Sequence, residues 1–190
     1  MKNLFALSIL AASVALSACS KKPEETTPAT GAAATTASAS GATIIKIGHA
    51  APLTGPQAHL GKDNENGVRL AVDELNAKGL TIGGQKVQFE LHSEDDQADP
   101  RIATTVAQKF VDDKVNVMIG HLNSGTTIPA SRIYNDAGIV EVSPSATNPK
   151  YTQQGYKGAF RVMANDVQQG KVLGEFAVKE MAAKNIAIID

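Results

Sequence analysis

Two apolar rhythms alternate along most of this chain, and their order predicts its elements. Crowded or alternating apolar residues predict strands where Ile44, Ile45 and Ile47 fall together, and again at Val87, Phe89 and Leu91. The same signal recurs over 115–119, 139–142, 160–162 and 185–189. Between these runs, apolar residues return every three or four positions, the spacing of one helical face. Val68, Ala71, Val72 and Leu75 mark a helix over 61–78 that Gly79 ends. Asp99 before Pro100 reads as a cap and a first-turn proline. The helix it opens carries Ile102, Ala103, Val106, Ala107, Phe110 and Val111 on one stripe and stops near Asp113. Further helices are expected over 125–137, closed by Gly138, and over 167–184, and Gly83-Gly84 reads as a turn. Strands alternating with helices predict an α/β fold: a parallel sheet with helices on both faces and right-handed crossovers.

The first 43 residues follow neither rhythm. Lys2 precedes an almost unbroken apolar run over 4–16, and Leu16-Ser17-Ala18-Cys19 closes it with small residues before a cysteine. The run is shorter than the roughly 20 residues a spanning helix needs, so it reads as a secretory signal over 1–18. The tetrapeptide resembles a bacterial lipobox, in which the cysteine is lipid-modified and becomes the mature N-terminus. That resemblance implies a protein of the cell envelope tethered through lipid at Cys19, with Ser20 unlike the aspartate that retains such proteins at the inner membrane. Residues 19–43 are rich in Ala, Thr, Ser, Pro and Gly without periodicity, the composition of a disordered spacer that cannot bury enough surface to offset its ordering entropy.

Composition narrows the function. The length of 190 residues suits one domain or slightly more, and 18 Lys+Arg against 19 Asp+Glu give a net charge of −1. With no basic stripe, the chain is not expected to bind nucleic acid, which needs clustered cations to displace counterions. One cysteine makes neither an internal disulfide nor a cysteine-based zinc cage. No Gly-x-Gly-x-x-Gly follows a strand, no Gly-Lys-Ser/Thr marks a P-loop, and neither Ser124 nor Ser145 has the flanking glycines of a nucleophile elbow. Glu94-Asp95-Asp96 could hold a divalent ion but reads better as a solvated strand end. His49 and His121 fall at predicted strand ends where they could approach each other, though isolated histidines more often make structural hydrogen bonds than ligate metals. No cofactor and no metal site is expected.

Open α/β sheets bind ligands at the carboxyl ends of their strands. The loops to weigh are therefore 52–56, 94–96, 120–127 and 143–149. Asn123-Ser124-Gly125-Thr126-Thr127 opens a helix, placing unpaired N–H groups and the positive helix end beside hydroxyls, which suits a small anion. Ser124 could equally serve only as an N-cap. Ser145-Ala146-Thr147, at the end of the neighbouring strand, adds hydroxyls and backbone carbonyls. One crevice could then offer donors to a carboxylate and acceptors to an ammonium, a mixture that fits a zwitterion better than a nucleotide.

These residues closely resemble the leucine/isoleucine/valine-binding proteins of bacterial ABC importers. The likeness is carried by Gly120-His121-Leu122-Asn123-Ser124 with Ile128-Pro129-Ala130-Ser131 and Tyr134, and by Ser143-Pro144-Ser145-Ala146-Thr147-Asn148-Pro149 with Gly155-Tyr156. Earlier matching segments are Pro52-Leu53-Thr54-Gly55-Pro56, the run over 71–79, and Asp95-Asp96 to Pro100. The resemblance implies a type I periplasmic binding protein whose two lobes close on a small ligand by hinge motion, without catalysis, before docking on an inner-membrane ABC permease. It implies an N-terminal lobe over 44–163 and the start of a second lobe over 164–190, most of which would lie beyond this chain. The complete protein is expected to be a monomer, touching the membrane only through its lipid.

In that family the residue matching Ser124 gives its hydroxyl to the ligand carboxylate, the one matching Ser145 gives a carbonyl to the ammonium, and the one matching Thr147 meets both ends. Ala146 lies between them in the same loop. A tyrosine lines the side-chain pocket of the family archetype where this sequence has Leu60, so branched aliphatic amino acids are the default ligands only. A ligand-sensing regulatory protein for an amino acid or amide is the alternative reading.

Overall fold

The computed structural model describes residues 41–188; the signal segment 1–18, Cys19 and nearly all of the 19–43 spacer lie outside the described residues. The elements run β1 (Thr43–Ala51), α1 (Ala58–Ala77), β2 (Thr81–Ile82), β3 (Gln85–Asp95), α2 (Pro100–Asp112), β4 (Val117–Gly120), α3 (Ser124–Asp136), β5 (Val140–Ser143), α4 (Lys150–Gln153), β6 (Ala159–Arg161) and α5 (Asp166–Lys179). They form one six-stranded sheet in the order β2-β3-β1-β4-β5-β6. All neighbours are parallel except β2, which is antiparallel to β3. Sequence reading placed only a turn at Gly83-Gly84. Both glycines have positive φ, 58° and 81°, the backbone of a tight two-residue hairpin, and this folds Thr81–Ile82 back onto β3.

Helix boundaries follow local chemistry. The Asp99 carboxylate accepts from the amides of Arg101 at 2.7 Å and Ile102 at 3.3 Å, so the expected cap and first-turn proline start α2. Helix α1 begins three residues ahead of expectation. A methyl group on Gly61 would lie 2.0 Å from the Pro52 carbonyl oxygen, so only glycine lets this turn close over the β1–α1 loop. On its expected apolar face Val72 is buried, while Ala71 is exposed and Val68 and Leu75 are only half-covered.

The C-terminal expectations need correction. The last helix ends at Lys179, not 184, because Met181 N–H turns back to the Phe176 carbonyl and Ala182 adopts a positive φ of 49°. No strand forms over 185–188, where Ile186 and Ile188 are 56% and 90% exposed. Apolar β-branched residues make a strand only where a neighbouring edge takes up their amides and carbonyls, and none pairs with this segment.

Helices cover both faces. Ala50 packs with Val106, Ala107 and Phe110 of α2, with Met118 of β4 and with Ala130 and Tyr134 of α3. His49, one residue earlier on β1, must face the opposite way, under α1. It is fully buried, and its Nδ1 lies 2.9 Å from the Ile119 carbonyl, so that nitrogen carries the proton. Burial pushes the His49 pKa below its ordinary value, which keeps the ring neutral. Its contribution to stability is thus present above the ordinary histidine range and is lost as pH falls toward the depressed value.

Glu141 on β5 is the opposite case. It is 1% exposed beside Tyr134 and Tyr151, with the Tyr151 hydroxyl and the His121 amide near its carboxyl but neither oxygen in a well-formed hydrogen bond. Burial raises its pKa well above the carboxylate range, so the group enters the fold protonated.

Two measurements probe this core. Phe110 is fully buried, and Phe110→Ala should lower unfolding free energy by about 3–5 kcal/mol in chemical denaturation. Because the folded Glu141 pKa is raised, its stabilising contribution is complete at acid pH and declines as pH rises above the ordinary carboxylate range. Glu141→Gln cannot ionise, so its stability relative to the parent should improve as pH rises above the ordinary carboxylate range; a difference in melts that stays constant as pH rises from there to neutrality would contradict a raised Glu141 pKa.

Candidate functional site

The carboxyl ends of β1, β3, β4 and β5 bring their loops to one edge of the sheet, and a buried polar knot ties those loops together. His121, immediately after β4, is fully buried, with Nδ1 2.7 Å from the Asp96 carboxylate of the β3–α2 loop. The carboxylate can only accept, so Nδ1 carries the proton. Burial holds the Tyr134 phenol far above its usual range, so Tyr134 keeps its proton and donates it to His121 Nε2 at 3.1 Å. The His121 carbonyl accepts from Ser143 Oγ at 2.8 Å and lies 3.1 Å from Thr127 Oγ1, whose single proton it shares with the nearer Asn123 carbonyl at 2.8 Å. One residue thus joins the ends of β3, β4 and β5 to helix α3.

On this base the two hydroxyl loops meet. Ser145 Oγ donates to the Leu122 carbonyl at 2.8 Å, and the Asn148 amide donates to Ser124 Oγ at 3.1 Å. Ser124 does not cap its helix. Asn123 holds the N-cap position, and its carbonyl accepts from the amides and hydroxyls of both Thr126 and Thr127. Since Ser124 Oγ already accepts one bond, its own proton is available to a ligand. Among the described residues, the amides of Ser124 and Gly125 have no protein acceptor, as the first turn of a helix requires. The dipole of α3 adds positive potential there.

Ala146 is fully buried and gives its amide to Ser143 Oγ at 3.0 Å, which shapes the loop from beneath. Thr147 is half-buried, its carbonyl accepts from the Asp166 amide at 2.9 Å, and its hydroxyl has no partner among the described residues. Leu60 is set apart from this group. It sits in the first turn of α1, 48% exposed, and the link from this turn to α3 is made by the N-cap residue Gln57, whose Oε1 accepts from Asn123 Nδ2 at 2.8 Å.

Several expected chemistries resolve into structural roles. Glu94, Asp95 and Asp96 are neither a metal cluster nor a solvated strand end. Glu94 pairs with Lys109 at 2.9 Å, Asp96 is buried against His121, and Asp95 accepts from the Leu53 and Gln97 amides and the Thr54 hydroxyl. Burial alone would raise the Asp95 carboxyl, but these hydrogen bonds hold it below its ordinary range. His49 and His121 form no pair, since His49 Nδ1 faces Ile119 and both His121 nitrogens are committed elsewhere. Among the described residues no three His, Cys, Asp or Glu side chains converge as a metal set.

Sequence reading gives no role to four residues that fix the loops: Gln57, Asn148, which it places only within the 143–149 loop, Arg161 and Asp166. Arg161 on β6 donates from Nη1 to the Asn148 and Ala146 carbonyls at 3.1 and 3.4 Å and from Nη2 to Thr152 Oγ1 at 3.2 Å. A lone arginine in a three-residue strand gives no sequence signal for that role. Only the pairing of Ser143 with Arg161 across β5 and β6 brings it there.

Comparison with known proteins follows the same lines. A profile of the family described as "periplasmic binding protein" matches residues 44–190. The chain is 42% identical over 145 residues to "Leu/Ile/Val-binding protein homolog 1" of Brucella abortus, covering 76% of this chain and 38% of that protein. It is 41% identical over the same length to "Leucine-specific-binding protein" of Salmonella typhimurium, with the same two coverages. Among solved structures it resembles the branched-chain amino acid transporter substrate binding protein LivJ of Streptococcus pneumoniae in complex with isoleucine. That match has a TM-score of 0.68 and 33% identity, and it covers 75% of this chain and 40% of the other. The chain therefore spans about two fifths of the length of the relatives it matches. Matched over almost every described residue and sharing the parallel sheet, the chain belongs to the periplasmic binding protein family.

Proposed function

We propose that this chain supplies one half of the ligand cleft of an extracytoplasmic solute-binding protein that takes up an amino acid and delivers it to an ABC permease. The observation that carries the proposal is the junction of Ser124 and Asn148, where a hydroxyl already accepting one bond keeps its proton beside two unpartnered helix amides. The ligand carboxylate sits on Ser124 Oγ and the Ser124 and Gly125 amides. Its ammonium meets the Ser145 carbonyl and the Thr147 hydroxyl. Ala146 shapes the loop, and Leu60 faces the ligand side chain from across the Gln57–Asn123 bridge.

The relatives named for leucine, isoleucine and valine support a branched aliphatic ligand. A binding role without catalysis is supported by His121, the histidine at this edge of the sheet, whose ring is buried and bonded at both nitrogens.

The wider organisation belongs to the same proposal. Residues 1–18 are a signal peptide, Cys19 is lipidated, 19–43 form a spacer, 44–163 are the first lobe and 164 begins the second. Support for the last boundary comes from α5, which buries no residue and leaves Val172, Leu173 and Phe176 more than half exposed, as an element does whose packing partner lies elsewhere. The complete protein acts as a periplasmic monomer, held to the membrane by its lipid.

In the intact natural protein, Ser124→Ala or Thr147→Ala should weaken L-leucine binding by about 10- to 100-fold, the loss of one charged hydrogen bond of about 1.5–3 kcal/mol. Isothermal calorimetry tests this. Parental affinity in both variants would remove the carboxylate and ammonium assignments.

A further inference from the structure

We propose that Arg161 is a positioning residue that selects which carbonyl of the 145–148 turn is left for the ligand's ammonium group. The inference rests on the proposed amino-acid site and adds a residue that the resemblance did not supply.

Four consecutive carbonyls leave the end of β5. A backbone carbonyl without a donor attracts a cation, and one already engaged does so less. The Ala146 and Asn148 carbonyls both accept from Arg161 Nη1, at 3.4 and 3.1 Å, and that of Asn148 accepts from the Tyr151 amide as well, at 3.2 Å. The Thr147 carbonyl between them accepts from the Asp166 amide at 2.9 Å, at the start of α5. Among the described residues only the Ser145 carbonyl, of these four, has no donor. The turn is held from both sides: Ser145 Oγ is anchored on the Leu122 carbonyl, while the guanidinium draws the carbonyls of 146 and 148 toward β6.

The chemistry of the side chain suits this task. A planar guanidinium reaches several fixed oxygens at once, and its second nitrogen, on Thr152 Oγ1 at 3.2 Å, sets the plane of the fork. A lysine in its place would carry the charge as a single point and could not span the same three oxygens. With its donors spent on the turn, Arg161 acts on the ligand through the backbone. Loss of the fork leaves the Asn148 carbonyl on the Tyr151 amide but frees that of Ala146 to turn and compete with that of Ser145, which blurs the ammonium subsite and leaves the carboxylate subsite on α3 intact.

The test compares L-leucine with 4-methylpentanoate, the same skeleton without the amino group, on the intact natural protein. Parent, Arg161→Ala, Arg161→Lys and Ser124→Ala are measured for both ligands, the weaker one by competition. The preference for leucine, read as the ratio of the two dissociation constants, should fall about tenfold in Arg161→Ala, the worth of roughly one charged hydrogen bond. It should recover only in part in Arg161→Lys. General loosening of the fold would weaken both ligands alike and leave the ratio unmoved, so an unchanged ratio in the arginine variants overturns the proposal. If Arg161→Ala does not fold, the Arg161→Lys ratio decides in the same way. Ser124→Ala separates the two readings. It should weaken both ligands equally if the carboxylate site is as described, and its failure to weaken either would overturn the site itself, independently of Arg161.

Discussion

The loops at the carboxyl edge of the sheet converge on one buried hydrogen-bonded residue. His121 occupies the point where the ends of β3, β4 and β5 and the flank of α3 converge, and it satisfies a partner on each. The arrangement tolerates little change. Removing the imidazole would leave the buried Asp96 carboxylate with the Ala98 amide, at 3.0 Å, as its remaining donor among the described residues, and a buried charge short of a hydrogen bond is costly. The same residue's carbonyl anchors Ser143 and shares the Thr127 hydroxyl with the Asn123 carbonyl, so one peptide links the loop that carries Ser124 to the loop that carries Ser145. A polar knot can be placed beside the apolar core because its members satisfy one another. Tyr134 belongs to both, packing its ring into the cluster around Phe110 while its hydroxyl reaches His121.

Features carried by neighbouring residues were legible in the sequence. The Asp99 cap, the apolar stripe of α2 and the alternating βα order needed only local spacing, and the parallel sheet followed from that order. The four loops at the strand ends were also found, because the rule that ligands gather there depends on topology alone. What was not legible lies in pairings across the sheet. Asp96 and His121 are 25 positions apart, and Arg161 lies 13 beyond Asn148. No period relates such residues; only the strand register does. Within the described part of the expected final strand, 185–188, the reading failed for the converse reason. The segment's propensity is local and strong, but a strand is completed by its neighbour, and Ile188 stands 90% exposed. Ser124 shows a subtler limit, since its position promised a cap, yet Asn123 holds that place and the hydroxyl is left for the Asn148 amide.

The geometry of the proposed ligand edge also bears on how such a site could hold an amino acid. Its donors are real but wet: Gly125 is exposed and Ser124 only half-covered. A carboxylate on a solvated helix terminus gains about 0.3–1 kcal/mol. The same contacts are worth about 1.5–3 kcal/mol each when water is excluded. A few solvated contacts fall short of the estimated 4–15 kcal/mol of freedom lost on association, so one lobe's surface would bind an amino acid only weakly. The proposed function therefore requires a second surface that covers the ligand and dries these bonds. The exposed apolar residues of α5, which begins where the Asp166 amide meets the Thr147 carbonyl, bring that requirement to the site itself. A movement that seats α5 against its own partners would act directly on the turn that presents Ser145, coupling closure to the ammonium end of the ligand.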